Sequence, residues 1–363
     1  MPAERCAGAR VSVPFSSLPL MLEYHAKRTP DAPAILAPGR SPLTYGRLYQ
    51  HIDEMGRTLR AIGIGRRHRV AVVLPNGPEM AVAFLAVAAN AVCAPINPAY
   101  GTEELDRYFA ALRPRALITQ AGIDSPARHA ALSRGVRLIE LSSAIEAEAG
   151  LFTLAGERGR APPHKPARPS DVALVLLTSG TTSRPKIVPQ THANLCASAC
   201  ASIAALALTG ADLCLNVVPL FHGHGLHNTL LASLAAGSGI ACTPGCDVDI
   251  FFAWLREFRP TWYSAVPTIH QAILAQARQN REQVAGEQSL PQPAMRTFER
   301  RASCLRRICD ECVRRAANAR RLEGDLRLHA GRAPRRRATA VEEDHKLLEQ
   351  TGTFELARVA LRA

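Results

Sequence analysis

The chain has 363 residues, of which 47% are apolar and 21% charged, and its formal net charge is +13. This composition excludes an intrinsically disordered protein and allows one large core or two moderate ones. The charge is uneven, because residues 291–363 hold 17 Lys and Arg against 10 Asp and Glu, a net +7. The rest of the chain is only mildly basic, which argues against nucleic acid as a partner and suits a protein that handles small anions.

The ten cysteines are scattered, and no secretory signal pattern stands at the start of the sequence. We therefore expect reduced thiols, no disulfide framework and a cytoplasmic protein. The most apolar stretch, residues 80–96, is Ala-rich and interrupted by Asn90. It is too short and too mixed to span a bilayer, and it predicts a buried helix followed by a strand.

Helices and strands alternate along the first 120 residues. A lead-in over residues 1–17 precedes a helix that ends at Thr29-Pro30, and Thr44 predicts the N-cap of a second helix ending at Ile62. Strands are expected at residues 34–37, 69–75, 92–97 and 116–119, and further helices at 79–90 and 102–112. This alternation predicts an α/β fold with a mainly parallel sheet flanked by helices.

The Pro-rich, basic residues 157–170 predict a linker between a first α/β subdomain, residues 18–156, and a second, residues 171–286. The second subdomain is expected to hold a helix at 192–208, a strand at 213–218, a helix at 226–236 and a closing helix-strand-turn-helix unit that ends near residue 279.

Residues 174–192, LVLLTSGTTSRPKIVPQTH, predict a buried strand that runs directly into an anion-binding loop. The loop combines hydroxyl donors, a glycine that admits a ligand close to the backbone, and a compact positive charge, a set suited to polyphosphate. Its candidate ligand-binding residues are Thr178, Ser179, Gly180, Thr181, Thr182 and Lys186. Pro185 and Ile187 flank the lysine, so the loop is not of the Walker type.

The motif TSGTTSRPK resembles the phosphate loop of the adenylate-forming superfamily, which includes acyl-CoA synthetases, luciferases and peptide-synthetase adenylation domains. Residues 41–105 are also similar to the opening domain of that family, and the resemblance runs from about residue 18 to residue 279. It implies the N-terminal domain of the adenylate-forming fold. It also implies a ligase that adenylates a carboxylic acid with ATP and Mg²⁺ and then forms a thioester with coenzyme A.

By this resemblance, the six loop residues hold the β- and γ-phosphates of ATP and the departing pyrophosphate. Family loops often carry Gly where this chain has Ser183 and Ile187. We expect a loop that is stiffer or slightly displaced at Ile187.

His222 lies in VVPLFHGHGLHNTLLASLAAG, which is similar to the family segment that borders the carboxylate pocket and the thiol channel. The resemblance implies a substrate-contact or gating role, and the alternative is a structural histidine bonded to backbone. His222, His224 and His227 also suggest a metal site, but no Cys or acidic partner stands near them, which disfavours zinc.

Residues 263–270, YSAVPTIH, resemble a strand end and helix start that line the acyl pocket, where Thr268 would cap the helix and His270 would face inward; the alternative is ordinary packing. Together the motifs are closest to the oxalate-CoA ligase branch, and the resemblance implies a short dicarboxylic acid or a fatty acid as the substrate. A small dianionic acid is compatible with His222, Ser264 and His270 as substrate residues.

Residues 287–363 are rich in Arg and Ala and do not resemble the family. They are interpreted either as out-of-frame translation of a GC-rich gene or as a genuine Arg-rich helical tail. Cys304, Cys309 and Cys312 lack a fourth metal ligand at suitable spacing. The Arg clusters are compatible with nucleic acid or anionic lipid, although neither is the favoured partner.

The motifs by which the family binds adenine, ribose and Mg²⁺, and its late catalytic lysine, are not found in the sequence. We therefore expect the chain by itself to turn over little or nothing. The alternative functions are a non-catalytic nucleotide or nucleic-acid binder and, less favoured, a peptide-synthetase adenylation domain. The sequence does not indicate an oligomeric state.

Overall fold

The computed structural model describes residues 15–157, 165–178 and 186–279, which form helices and strands in alternation. The helices are α1 Leu18–Arg28, α2 Tyr45–Ala61, α3 Pro78–Asn90, α4 Thr102–Leu112, α5 Pro126–Ser133, α6 His192–Leu206, the π-helix His224–Leu231, α7 Ala232–Ala236, α8 Val248–Phe258 and α9 Pro267–Gln279. The strands are β1 Pro33–Leu36, β2 Leu43–Thr44, β3 Arg69–Val73, β4 Val92–Pro95, β5 Ala116–Gln120, β6 Arg137–Ser143, β7 Phe152–Ala155, β8 Val172–Thr178, β9 Lys186–Thr191, β10 Leu213–Asn216, β11 Gly239–Cys242 and β12 Trp262–Ser264.

The strands form two sheets. One has the order β12-β10-β11-β1-β2 and the other β7-β6-β5-β3-β4-β8-β9. The pairs β1–β2, β6–β7 and β8–β9 are antiparallel and the other pairs are parallel, so the predicted α/β class with mainly parallel sheets is confirmed. Each sheet contains strands from both sides of residues 157–170.

Local sequence signals agree with the structure where they are strong. The predicted N-cap is confirmed, because the Thr44 hydroxyl accepts a hydrogen bond from the Arg47 backbone N–H at 3.3 Å. The sequence did not predict β9, which has Pro189 in its interior. Proline has no backbone N–H to donate to a neighbouring strand, so it is tolerated mainly on edge strands. In the described part of the chain, β9 is an edge of its sheet. The helix expected at residues 226–236 is a π-helix followed by α7.

Helix α3 connects the two sheets. Every residue from Met80 to Ala88 is buried, and α3 contacts β3 and β8 in one sheet and β11 in the other. A helix that is apolar on all sides is stable only where it is covered on all sides. Burial of α3 therefore holds the two sheets against one another.

The chain divides into two compact units. The first contains both sheets. The described part of the second comprises residues 205–207, 248–252 and 265–279, where the Gln276 amide donates a hydrogen bond to Asp249 Oδ1 at 3.1 Å. No helix in the described ranges is long and apolar enough to cross a membrane. Cys304, Cys309, Cys312 and the Arg clusters lie outside the described residues.

His192 is a buried titratable group at the start of α6. It is 2% exposed, and its Nδ1 accepts a hydrogen bond from the Leu18 backbone N–H at 3.3 Å. Burial lowers the pKa of His192 to about 4. The folded state therefore holds the ring neutral at a pH where the unfolded chain would protonate it.

We predict a loss of stability in acid that depends on this ring. Above pH 6.5 the buried neutral ring contributes fully to the free energy of unfolding. As the pH falls toward 4, the free energy of unfolding decreases by about 3 kcal/mol, because the unfolded chain binds a proton that the folded chain does not. His192→Asn keeps an acceptor for Leu18 and does not titrate, so its stability should vary less with pH. Urea unfolding of both proteins at pH 7.5 and pH 4.5 measures the difference, and an equal loss in both would contradict the prediction.

Candidate functional site

The β8–β9 hairpin places two of the predicted phosphate-binding residues opposite one another. Thr178 ends β8, Lys186 begins β9, and their Cα atoms are partners in the antiparallel register. Lys186 is exposed. The ammonium-bearing residue thus stands at the mouth of the hairpin, where β8 reaches its carboxyl end. Ser179, Gly180, Thr181 and Thr182 lie outside the described residues.

The predicted histidine segment follows β10 in the other sheet. His222 is exposed, and its ring lies edge-on to Phe221 with 4.6 Å between centroids. Two residues later, His224 Nε2 lies 2.7 Å from the Ser264 hydroxyl oxygen, within hydrogen-bonding distance. Ser264 ends β12 and pairs in register with Asn216 at the end of β10. Sequence reasoning placed Ser264 in the pocket but considered His224 only as a zinc ligand.

Side-chain hydrogen bonds fix the histidine segment. The Asn76 side chain accepts from the Leu220 backbone N–H at 2.8 Å and donates to the Thr243 carbonyl at 2.9 Å. Asn76 follows β3 in the seven-stranded sheet, whereas Leu220 and Thr243 follow strands of the five-stranded sheet. Within the segment, the Thr229 hydroxyl donates to Asn216 Oδ1 at 2.8 Å. These bonds tie the carboxyl ends of strands from both sheets together.

The histidine segment also touches the hairpin strand. A Cβ atom on Gly223 would lie 3.2 Å from Leu176 Cδ1, so the turn between His222 and His224 packs directly on β8. Leu176 stands two residues before Thr178. The histidine segment therefore contacts β8, the strand that leads into the predicted phosphate loop, near the carboxyl ends of parallel strands, where α/β proteins bind ligands.

His227 is the third histidine of the segment. Its Nδ1 lies 3.5 Å from the Ser198 hydroxyl oxygen, and burial lowers its pKa to about 4. Its Nε2 is buried and has no hydrogen-bond partner among the described residues. In the same ranges no group of three or more His, Cys, Asp or Glu is placed to hold a metal ion. The geometry thus gives the zinc hypothesis no support in the described part of the chain.

Thr268 and His270 belong to the second compact unit. Helix α9 begins at Pro267, a residue whose fixed φ suits the first helical position. Thr268 is therefore inside the helix, and the prediction that it caps α9 is wrong. His270 is partly buried, and burial lowers its pKa below 6.5.

A cleft of about 530 Å³ lies at the carboxyl ends of β1, β3, β5, β6 and β11, a feature that sequence reasoning missed. Its charged residues, Arg40 and Glu79, form an ion pair at 3.0 Å. The Arg40 guanidinium also donates to the carbonyls of Ala144, Ala147 and Glu148. Arg40 therefore holds a loop in place and is not available to a ligand.

Comparison with known proteins decides the family. The sequence profile of the AMP-binding enzyme family matches residues 22–327. The chain belongs to the AMP-binding enzyme family. This match confirms the resemblance found in the sequence. It extends to residue 327, so the prediction that no residue beyond 286 resembles the family is wrong for residues 287–327.

Two similar curated relatives are CoA ligases. The chain is 38% identical over 268 residues to the probable CoA ligase CCL9 of Humulus lupulus, covering 70% of this chain and 50% of the relative. It is 36% identical over 261 residues to an oxalate–CoA ligase of Arabidopsis thaliana, covering 70% and 51%. The chain thus spans about half the length of the curated relatives it matches.

A solved structure shows the same fold. Apo MatB from Rhodopseudomonas palustris superposes with a TM-score of 0.60 at 23% identity, covering 72% of this chain and 51% of that one. The predicted N-terminal domain fold of the adenylate-forming enzymes is confirmed.

We predict that Gly225→Ala disrupts the π-helix that carries His224. A Cβ atom at Gly225 would lie 2.4 Å from the Pro219 carbonyl oxygen, and backbone cannot move away as a flexible side chain would. Thermal or urea unfolding should show a loss of about 1–3 kcal/mol. Gly101→Ala is the control for a methyl group added in open space, because nothing lies within 4 Å of its Cβ, and it should lose only the smaller preference for glycine at the N-cap of α4. Equal stability of the two variants would refute the predicted clash.

Proposed function

We propose that this chain carries the nucleotide and acid sites of an ATP-dependent acid–CoA ligase, and that the acid is a short dicarboxylic acid such as oxalate. The observation that supports both sites is the contact between the turn at Gly223 and the hairpin strand at Leu176. In this proposal the contact sets the hairpin mouth close to the pair of His224 and Ser264, so that an acid carboxylate and a nucleotide phosphate would lie close together. Close placement of the two reactants lowers the barrier to adenylation.

The nucleotide half rests on the hairpin. In this proposal Thr178, Ser179, Gly180, Thr181, Thr182 and Lys186 hold the β- and γ-phosphates of ATP. Lys186 supplies a strongly hydrated point charge that can follow the phosphates as pyrophosphate leaves. The described residues offer no carboxylate cluster for Mg²⁺, so no step is assigned to protein-bound metal.

The proposed acid site is built on the hydrogen-bonded pair of His224 and Ser264. An alkyl chain would offer no hydrogen-bond acceptor to the partly buried pair of His224 and Ser264, which would then keep only the hydrogen bond to one another. A second carboxylate would accept a hydrogen bond from the Ser264 hydroxyl, while His224 Nε2 donates to the Ser264 oxygen. The name of the Arabidopsis thaliana relative, an oxalate–CoA ligase, supports this choice.

His222, exposed at the same turn, is proposed to border the path of the coenzyme A thiol. Thr268 and His270 remain candidates for the acid pocket on the resemblance of residues 263–270. The expectation that the chain alone turns over little acid is part of the proposal. Binding is therefore the first property to measure, and pyrophosphate exchange the second.

We predict that the full chain binds MgATP through Lys186. Calorimetry should show that Lys186→Gln weakens MgATP binding about tenfold, since a charge-assisted contact to phosphate is lost. Lys165→Gln removes an exposed lysine ahead of β8 and serves as the control. If the wild-type chain does not bind MgATP, or if both variants bind equally, the nucleotide half of the proposal is wrong.

The acid site is tested separately, by comparing oxalate with acetate in the presence of MgATP. Oxalate should bind more tightly, and Ser264→Ala should remove most of that preference by leaving one donor fewer for the second carboxylate. Ser143→Ala changes an exposed serine on β6 and is the control. Equal affinity for the two acids would overturn the dicarboxylic acid assignment while leaving the nucleotide site standing.

A further inference from the structure

Ile187 occupies the position next to Lys186 on β9. Its Cα partner across the hairpin is Leu177, so the two side chains share one face of the sheet. Both are partly buried and both pack against the same core cluster. The cluster consists of Ala71, Val73, Val92, Ala94, Ile96, Leu105, Tyr108, Phe109, Leu112, Leu117, Ala127, Ala130, Ala131 and Val175.

Val188 follows Ile187 and points to the opposite face of the strand, where it is 39% exposed. The two residues are similar in shape and differ mainly in what they contact. A slip of β9 by one residue would exchange their faces and would carry Lys186 away from its place opposite Thr178. Packing of Ile187 against the core opposes that slip, and Val188 has no comparable contribution.

Ile187 also lies next to the end of the hairpin, where it supports the pairing of the final residues. Lys186 and Thr178 form the last register pair before residues 179–185, and Leu177 and Ile187 form the pair just inside it. If the inner pair separates, the outer pair has no remaining support from β9. Among the described residues, the lysine therefore depends on the side chain that follows it to keep its place opposite Thr178.

We infer that Ile187 is a positioning residue for Lys186, and that its contact with the core keeps the lysine ammonium where a triphosphate binds. This inference rests on the proposed function, because it assigns Lys186 to phosphate. It gives a physical role to the residue that departs from the glycine frequent in resembling phosphate loops. Ile187 takes no part in the chemistry and acts through the register of β9.

The test compares Ile187→Gly with Val188→Gly in the full chain. Both replace a β-branched residue by glycine on the same strand, so the backbone cost is matched and only the core contact differs. Amide hydrogen exchange of β8 and β9 should be about five- to tenfold faster in Ile187→Gly than in Val188→Gly. MgATP affinity should fall by a similar factor only in Ile187→Gly, and Ile187→Val should restore it.

A double variant separates positioning from general destabilisation. If Ile187 acts through Lys186, Ile187→Gly should change MgATP affinity less than twofold when Lys186 is already Gln. A purely structural role would weaken binding equally in both backgrounds. Should Ile187→Gly fail to fold, Ile187→Ala removes most of the packing with less effect on the backbone. It is expected to show faster hydrogen exchange and weaker MgATP binding than Val188→Ala.

The outcomes distinguish the two claims. A wild-type chain that does not bind MgATP overturns the proposed function and this inference with it. A wild-type chain that binds MgATP, with Ile187→Gly equal to Val188→Gly in hydrogen exchange and affinity, overturns the inference alone. Additive effects of Ile187→Gly and Lys186→Gln on affinity also overturn it, because they would show that Ile187 does not act through the lysine.

Discussion

Burial of α3 is the constraint on which the site depends. Residues Met80 to Ala88 have no exposed face, so the helix is stable only while α1, α2 and strands of both sheets cover it. Most of its side chains are small, which allows the strands to approach closely. The two sheets are thereby held with the carboxyl ends of β3 and β11 near one another, and the loops from these ends can exchange hydrogen bonds.

This arrangement allows the Asn76 side chain to form hydrogen bonds with two loops of the other sheet. It lies between the end of β3 and the start of α3, and its amide bonds two loops of the other sheet. Buried polar groups are costly unless they are paired, so these bonds select one position for the segment that leads to His222. The same segment rests on β8 through Gly223. One apolar helix and one amide therefore help to determine where the histidines stand relative to the carboxyl end of β8.

Sequence reasoning succeeded where the information was local and failed where it was distant. The Thr44 cap and the α/β alternation depend on neighbours a few residues apart, and both are confirmed. The contact between His224 and Ser264 joins residues 40 positions apart, and only the pairing of β10 with β12 creates it. The three histidines suggested zinc because their spacing is visible in the sequence, whereas the partner of His224 is not.

Strand β9 was missed for a related reason. Its Pro189 and its exposed residues weaken every local strand signal, and its pairing with β8 compensates for them. The same pairing leaves Lys186 at the end of a strand that is an edge among the described residues, while the proposed acid site rests on His224 and Ser264, which are partly buried and paired. Edge strands open with lower free energy than buried elements. The nucleotide half of the proposed site is therefore expected to be the more easily displaced half, and the packing of Ile187 against the core matters most there.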